Sequence, residues 1–400
     1  MQLSPEVQQL CHEVRRFIQK EVDPRSRSIE EHDTIPEELV RMAREMGLFG
    51  LTIPEQYGGI GLDLSGKCAI EEEMGRTNYG FATVIGNHTG IATTGIVALG
   101  SEAQKGKYLP RMATGEWVGC FSLTEPHAGS NPADIRTAAA RKGDRYVLNG
   151  EKAFVTNGGI AHVFTVMAVT DRAKGIKGIS AFIVERGLKG FSVGRNELKM
   201  GMHGCTTAPL SFNDCEVPAE NRLGPEGMGY VQAMKTLTMG RVTIAARACG
   251  MMDKLIERSV DYMKTRVQGG KKIAEHQGLQ WMLADMGVAR DASRLLTERA
   301  IAAILRGERG TLEASAAKLF ATESLAKVVD CAVQIHGGMG YMREAGIETM
   351  YRDARITRIY EGSSEIQTLI QAGYALGLRE DKPLRCEAPV YDEREWQAIP

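Results

Sequence analysis

Asn149-Gly150-Glu151-Lys152-Ala153-Phe154-Val155-Thr156-Asn157-Gly158, in the middle of the chain, decides how the rest is read. Tyr146-Val147-Leu148 precedes the first Asn-Gly pair and Phe154-Val155-Thr156 the second. Asn-Gly between β-prone runs signals a hairpin, because both residues accept the positive φ of a tight two-residue turn. The spacing therefore predicts hairpin turns at both pairs. Further strands are expected over residues 162–169 and 179–184, and at Leu210-Ser211-Phe212 ahead of Pro218. Strands this close, joined by Gly-rich turns with no helical pattern between them, predict a small antiparallel β-domain over residues 121–226.

On either side the apolar period lengthens to that of a helix. Upstream, Val7, Leu10, Cys11, Val14, Phe17 and Ile18 recur every three or four residues. A second helix starts at Pro36 and stops at Gly47, and residues 64–75 and 83–99 read as further helices. Residues 1–120 are thus expected to form an N-terminal helical domain. Downstream of Gly227, Tyr230, Ala233, Met234, Leu237, Ile244, Ala248, Met251 and Leu255 keep one face apolar. With helices over 279–304 and 312–333, residues 227–378 read as a C-terminal four-helix bundle whose methionines belong to the core. Residues 379–400, charged and carrying Pro383 and Pro389, read as a surface tail. The fold class is α+β.

Composition narrows the function. Hydrophobic residues make up 43% and charged residues 25%, ordinary values for a soluble globular protein. The 49 basic and 50 acidic residues give a net charge of −1, which offers no general attraction to nucleic acid or acidic membranes. Eight cysteines without a Cys-x-x-Cys pair suggest neither a metal site nor a disulfide framework, and fit a reduced, cytoplasmic protein. Residues 1–20 lack the apolar core of a signal peptide, and no apolar run reaches membrane-spanning length, so no membrane partner is expected.

Near the end stands Tyr360-Glu361-Gly362-Ser363-Ser364-Glu365-Ile366-Gln367. Ser364 followed by Gln367 predicts a capping box, with Ile366, Leu369 and Ile370 opening an apolar face. Glu361 then lies just outside a helix N-terminus, beside Thr357, Arg358, Ile359 and Tyr360. Buried there, its pKa rises and it can act as a general base near neutrality. The plain alternative is a surface glutamate that favours the helix dipole.

Five stretches in this order resemble the acyl-CoA dehydrogenase family of flavoproteins, over nearly everything up to about residue 375. They are Leu123-Thr124-Glu125-Pro126-His127-Ala128-Gly129-Ser130, the 149–158 segment, Glu275-His276-Gln277, Gln334-Ile335-His336-Gly337-Gly338-Met339-Gly340, and Tyr360-Glu361-Gly362. The resemblance implies FAD as cofactor. It places Phe121, Leu123 and Thr124 near the flavin ring, Ser130 between flavin and coenzyme A, and Phe154 and Thr156 flanking the flavin. It gives Arg266 the FAD pyrophosphate of a neighbouring subunit, Gln334, Gly337 and Gly338 the adenosine end, and Gln268, Gln277, Ser363 and Glu365 further cofactor contacts. Ser130, Thr238, Arg241, Gly362, Asn87 and Tyr360 are implied to bind substrate. A cofactor held by two chains implies a homo-oligomer, a tetramer by resemblance. Without the family, each motif reads more plainly: a loop shaped by Pro126 and Gly129, a core phenylalanine, a solvated arginine at a helix end, and a flexible break between helices.

The implied reaction is α,β-dehydrogenation of an acyl-CoA thioester. Glu361 takes the α-proton, flavin N5 accepts the β-hydride, and an electron-transfer flavoprotein takes the electrons onward. Arg241 opposes burial at Glu361, since a nearby cation lowers a carboxylate pKa. Several positions depart from the family: Val267-Gln268-Gly269-Gly270 lacks a common Phe at 269, Lys272 stands for a Pro, Thr238 for an Asp, and Gly373 for an arginine of some relatives. Alternatives on the same fold are an acyl-CoA oxidase, an enoyl-CoA reductase, or a desulfinase-type enzyme on a short or dicarboxylic acyl-CoA. A more distant one is a non-catalytic acyl-CoA- or flavin-binding assembly protein. Thr83, Asn87 and His88 suggest a short, branched or functionalised acyl group.

Overall fold

The computed structural model describes residues 3–380. The chain opens with helices α1 (Pro5–Phe17), α2 (Ser26–His32), α3 (Glu37–Glu45), α4 (Leu64–Met74), α5 (Tyr79–Asn87), α6 (Thr93–Leu99) and α7 (Glu102–Ala113). Local signals set several starts. Ser4 accepts the Val7 N–H at 3.3 Å ahead of α1, Asp63 the Gly66 N–H at 2.8 Å ahead of α4, and Asn78 the Phe81 N–H at 2.8 Å ahead of α5. The helix expected over 83–99 is interrupted by a π-turn, His88–Ala92, where Gly90 at ψ −108° leaves the regular ladder.

Strands follow: β1 (Gly119–Ser122), β2 (Ala138–Lys142), β3 (Arg145–Thr156), β4 (Val163–Val169), β5 (Ile179–Glu185), β6 (Phe191–Val193), β7 (Thr207–Pro218) and β8 (Arg222–Leu223). They form a sheet in the order β6-β7-β3-β2-β4-β5-β8, with β1 beside β4. Most pairings are antiparallel, while β4 runs parallel to β1 and, at Ala138–Val169, to β2.

The hairpin expected at Asn149-Gly150 does not form. β3 runs through both residues, with a register shift against β7 between Leu148 and Gly150. Asn149 Nδ2 donates to Asp214 Oδ1 at 3.1 Å, and the Asp214 N–H returns to Asn149 Oδ1 at 2.8 Å. Gly150, at φ +143°, passes so close to Thr137 that a Cβ would lie 2.7 Å from its Cα. The Asn-Gly pair marks a β-bulge, which uses the same backbone freedom as a turn. Asn157 does turn the chain, at φ +65°, but β2 lies between β3 and β4, so this is a crossover and not a hairpin.

Three long helices come next: α8 (Gly229–Thr265), α9 (Gln277–Leu305) and α10 (Thr311–His336). A two-stranded ribbon, β9 (Val267–Gln268) and β10 (Lys271–Lys272), joins α8 to α9. α11 (Gly338–Tyr341) leads to α12 (Ile347–Arg355) and α13 (Ser364–Ala375), which pack on α10 and complete the bundle. Met251, Met252, Leu255, Met286, Ala317, Ala321 and Leu325 share its core, as the methionine pattern predicted. α4 crosses α8 at bare backbone: a Cβ on Gly75 would lie 2.1 Å from Arg247 O, and one on Gly250 would lie 1.8 Å from Glu72 O. That contact sets Glu71 of α4 beside Arg247 of α8. Among the described residues no helix is long and apolar enough to cross a membrane. The tail expected over 379–400 lies outside the described residues from 381 onward.

Candidate active site

Glu361 sits on the turn before α13 in left-handed backbone, φ +52°, followed by Gly362 at φ +92°. That region is strained for a glutamate, and side chains from three helices hold it. Arg241 Nε donates to Glu361 O at 3.1 Å, Lys318 Nζ to Gly362 O at 2.8 Å, and Gln367 Nε2 to the same two carbonyls at 3.3 and 2.9 Å. The capping box expected at Ser364 and Gln367 is absent. Ser363 is the N-cap residue, Ser364 Oγ donates to Glu323, and Gln367 reaches back to the turn, whose carbonyls need donors once buried.

The Glu361 carboxylate lies against α8, where a Cβ on Gly240 would come within 2.1 Å of Oε2. Oε2 is buried without a hydrogen-bond partner. Burial lifts the pKa from an ordinary 4.5 to about 7, although Arg241, Lys318 and Arg247 pull it down. Burial thus wins the contest that Arg241 posed, and a carboxylate that titrates near neutrality can take a proton there. Lys318 is fully buried, and burial pushes its pKa down to about 8.

Several expected substrate residues gather here. Gly362 belongs to the turn, Arg241 holds it from α8, and the Tyr360 hydroxyl meets that of Tyr79 at 3.3 Å. Thr238, a turn before Arg241, donates its hydroxyl to Met234 O of its own helix at 2.9 Å. Asn87 keeps a buried Oδ1 without a partner. His88, by contrast, is tied to surrounding backbone: its Nε2 lies 3.1 Å from Phe49 O and 3.0 Å from Met112 O, and its Nδ1 accepts the Gly119 N–H at 2.9 Å. Arg379 lies over Gly373, where a Cβ would meet its Cδ at 2.9 Å, and its charge acts on Arg241. An arginine thus covers position 373 without occupying it.

A second group lies on the sheet. Lys152, fully buried, donates Nζ to Leu123 O at 3.1 Å and to Glu125 Oε1 at 2.8 Å, and the Ala153 N–H donates to Thr124 O at 2.9 Å. These bonds fasten the 123–125 loop to β3 and bring Leu123 and Thr124 to the strand that carries Phe154 and Thr156. A register shift between Lys152 and Val155 turns Phe154 outward at φ +55°, with 69% of it exposed. Phe121 is on β1. Asn157 Nδ2 donates to Val84 O at 2.9 Å and ties this patch to α5. An exposed ring on the strand that also carries Thr156, with the Thr165 and Thr206 hydroxyls of the same domain buried and unpartnered, fits a flat polycyclic ligand. Ser130 is exposed on the loop that walls a cavity of about 280 Å³, lined in part by His127, Asp134, Arg136 and Arg172.

Of the remaining predicted cofactor residues, all but Ser363 and Glu365 lie at the far end of the bundle. The Arg266 N–H donates to Tyr262 O at 2.8 Å, and the Tyr262 ring stacks on His336 with centroids 4.5 Å apart. That stacking gathers Arg266, Gln268 and Gln277 with Gln334, Gly337 and Gly338 into one exposed region. From Gly240 to Arg266 α8 climbs about 39 Å, at roughly 1.5 Å per residue. Ser363 and Glu365 flank the start of α13, and the Ser363 hydroxyl lowers the pKa of the exposed Glu365.

Residues 4–116, 120–215 and 227–375 match, in turn, the N-terminal, middle and C-terminal domains of acyl-CoA dehydrogenase. The chain belongs to the acyl-CoA dehydrogenase family. It is an oxidoreductase, and the family's cofactor is FAD. An acyl-CoA dehydrogenase of Bacillus subtilis (strain 168) is 43% identical over 91% of this chain and 96% of its own. An acryloyl-CoA reductase (NADH) of Anaerotignum propionicum is 42% identical over 92% and 94%. The butyryl-CoA dehydrogenase structure from Megasphaera elsdenii superposes with a TM-score of 0.91 at 37% identity, covering 94% of this chain and 99% of its own.

Sequence reasoning missed Gly240, Lys318, Glu71 and Arg247. A lysine in the apolar run Ala316-Ala317-Lys318-Leu319-Phe320 was a usable signal, because a buried lysine needs a partner. Gly240 carried none, since its importance depends on a residue 121 positions away.

Proposed function

We propose that the protein oxidises an acyl-CoA thioester to the trans-2-enoyl-CoA, with Glu361 as the base that removes the α-proton. The observation that carries this reading is the buried, unpartnered Glu361 Oε2, with a pKa of about 7 on a turn gripped by three side chains. As the α-proton leaves, negative charge builds on the thioester oxygen. The Glu361 N–H, at the positive end of α13, stabilises that charge as an oxyanion donor. Gly240 leaves the carboxylate room beside α8, and Arg241 fixes the turn while its positive charge favours the ionised base.

Phe121, Leu123, Thr124, Ser130, Phe154 and Thr156 would hold the flavin end of FAD, with Ser363 and Glu365 nearby. Bound there, FAD supplies the two-electron acceptor for the β-hydrogen. Arg266, Gln268, Gln277, Gln334, Gly337 and Gly338 would hold the other end, Arg266 by the forked hydrogen bonds that suit a diphosphate. About 39 Å of helix separates Gly240 from Arg266. That separation supports a site shared by two copies of the chain, hence a homo-oligomer, a tetramer by family resemblance. Ser130, Thr238, Arg241, Gly362, Asn87 and Tyr360 would contact acyl-CoA, and Arg136 and Arg172 offer charge to its phosphates. An electron-transfer flavoprotein as acceptor rests on family resemblance.

The test is anaerobic mixing of the FAD-loaded protein with acyl-CoA. Flavin absorbance is expected to bleach, and Glu361→Gln to keep FAD while slowing bleaching about 10³-fold, the scale of general-base catalysis. Bleaching at an unchanged rate would remove Glu361 from the role. The reductase relative supports a second reading, enoyl-CoA reduction with Glu361 returning the α-proton. Oxidation of reduced enzyme by enoyl-CoA much faster than bleaching by acyl-CoA would favour it. Rapid peroxide formation in air would favour an oxidase.

A further inference from the structure

Beyond the base, the same face of α8 carries a buried polar centre that proton removal at Glu361 does not use. Gly240 touches the Glu361 carboxylate, and Arg247 follows two turns later, about 10.5 Å along the axis. Arg247 is 5% exposed, and Glu71 and Lys67 are 2% exposed each. Arg247 Nε donates to Glu71 Oε2 at 2.7 Å, and Lys67 Nζ lies 2.6 Å from Glu71 Oε1. Lys67 also donates to Thr89, and Arg247 Nη1 donates to Thr83 Oγ1 at 3.0 Å. Two cations thus share one carboxylate, and no other carboxylate among the described residues pairs with either.

As a stabilising device this is a poor arrangement. Even a balanced buried ion pair is often no better than apolar packing, and an unmatched cation is worse. Burial accordingly pushes the Lys67 pKa down. The cluster also connects directly to the reacting end. The Arg247 guanidinium stands 5.4 Å over the Tyr79 ring, whose hydroxyl meets that of Tyr360, the residue before the base, at 3.3 Å. Gly86 of α5 makes room for the guanidinium, since a Cβ there would lie 1.7 Å from Nη2. One turn beyond Thr83 on α5, Asn87 keeps its buried, unpartnered Oδ1. Guanidinium, ammonium, hydroxyl and amide groups from α8, α4 and α5 therefore meet here, where a long alkyl chain needs hydrocarbon.

We propose that Arg247 and Lys67 are specificity-determining residues that select a short acyl group ending in a carboxylate, whose charge completes the buried cluster. A plain long chain would lay hydrocarbon against the two buried cations and return no partner for the unmatched charge. Side chains on a helix lean towards its N-terminus, so Arg247 reaches back towards Gly240. An acyl group running from the base to Arg247 would have under about 10 Å along α8, which suits a glutaryl or adipoyl chain better than an octanoyl chain.

This proposal rests on the acyl-CoA reading of the site. The experiment follows anaerobic flavin bleaching of the FAD-loaded enzyme by butyryl-, octanoyl-, glutaryl- and adipoyl-CoA. In the wild type, kcat/KM for the better dicarboxylyl thioester is expected to exceed that for butyryl-CoA more than tenfold. Arg247→Gln and Lys67→Met are each expected to lower that ratio at least tenfold. A wild-type ratio under ten overturns the proposal, and this measurement stands even where a variant fails to fold. A ratio that survives either substitution removes that residue from the role. Failure of the underlying function looks different: none of the four thioesters bleaches the flavin, and both readings fall together.

Discussion

Glu361 occupies a backbone region that costs a non-glycine residue on the order of 1–3 kcal/mol, and Arg241, Lys318 and Gln367 hold it there. Its pKa of about 7 has two consequences. The bleaching rate should rise with pH through about 7, as the base ionises. Stability should run the opposite way. Between 4.5 and about 7 the folded protein keeps a proton that the unfolded chain has released, so stability falls across that window and the loss is complete above it. Glu361→Gln is therefore expected to raise Tm at pH 8 and leave it unchanged at pH 4; thermal melts at the two pH values check this. Lys318 adds a positive charge beside the base as well as a hydrogen bond to Gly362 O. Lys318→Met should shift the rising limb of the pH–rate profile to higher pH and slow bleaching at pH 7 by about tenfold, while Lys318→Arg keeps the limb in place.

The elements carry the site through their crossings. α4 reaches α8 closely enough to pair Glu71 with Arg247 because Gly75 and Gly250 leave bare backbone at the contact. A Cβ on Gly250 would lie 1.8 Å from Glu72 O, and backbone cannot swing aside as a side chain can. Gly250→Ala should destabilise the protein by at least about 1–3 kcal/mol, the usual cost of overpacking, seen as a lower midpoint in urea. At this scale sequence signals named the right residues more often than the right geometry. Asn149-Gly150 marked a special backbone, which the neighbouring strand β7 made into a bulge. Ser364 and Gln367 marked a helix start, but buried carbonyls on the preceding turn drew Gln367 away from the cap. The break at Gly90 was invisible because the apolar pattern runs across it.

Over the whole molecule, Gly240, which lies against the base in the N-terminal third of α8, and Arg266, at its C-terminal end, stand about 39 Å apart along the helix at 1.5 Å per residue. If a second copy supplies Arg266 to each cofactor, Arg266→Ala should weaken FAD retention about tenfold or more, the worth of one charge-assisted hydrogen bond of about 1.5–3 kcal/mol. Flavin content after gel filtration, read against elution volume, tests this. Retained FAD would remove Arg266 from the cofactor site.

The sequence by itself determined the order of helical, β and helical segments, the starts of several helices, and the place of Glu361 just before a helix, while its role as base came from the family resemblance. Those features follow from periodicity and capping within a few residues, which any local stretch carries. Only the tertiary structure decided that Gly240 makes room for the carboxylate, that Lys318 and Gln367 hold its turn, and that burial outweighs Arg241. Arg241 meets Glu361 across 120 residues, and Arg247 meets Glu71 across 176. Desolvation and charge pairing at such separations exist only once the helices have crossed, so no local pattern could contain them.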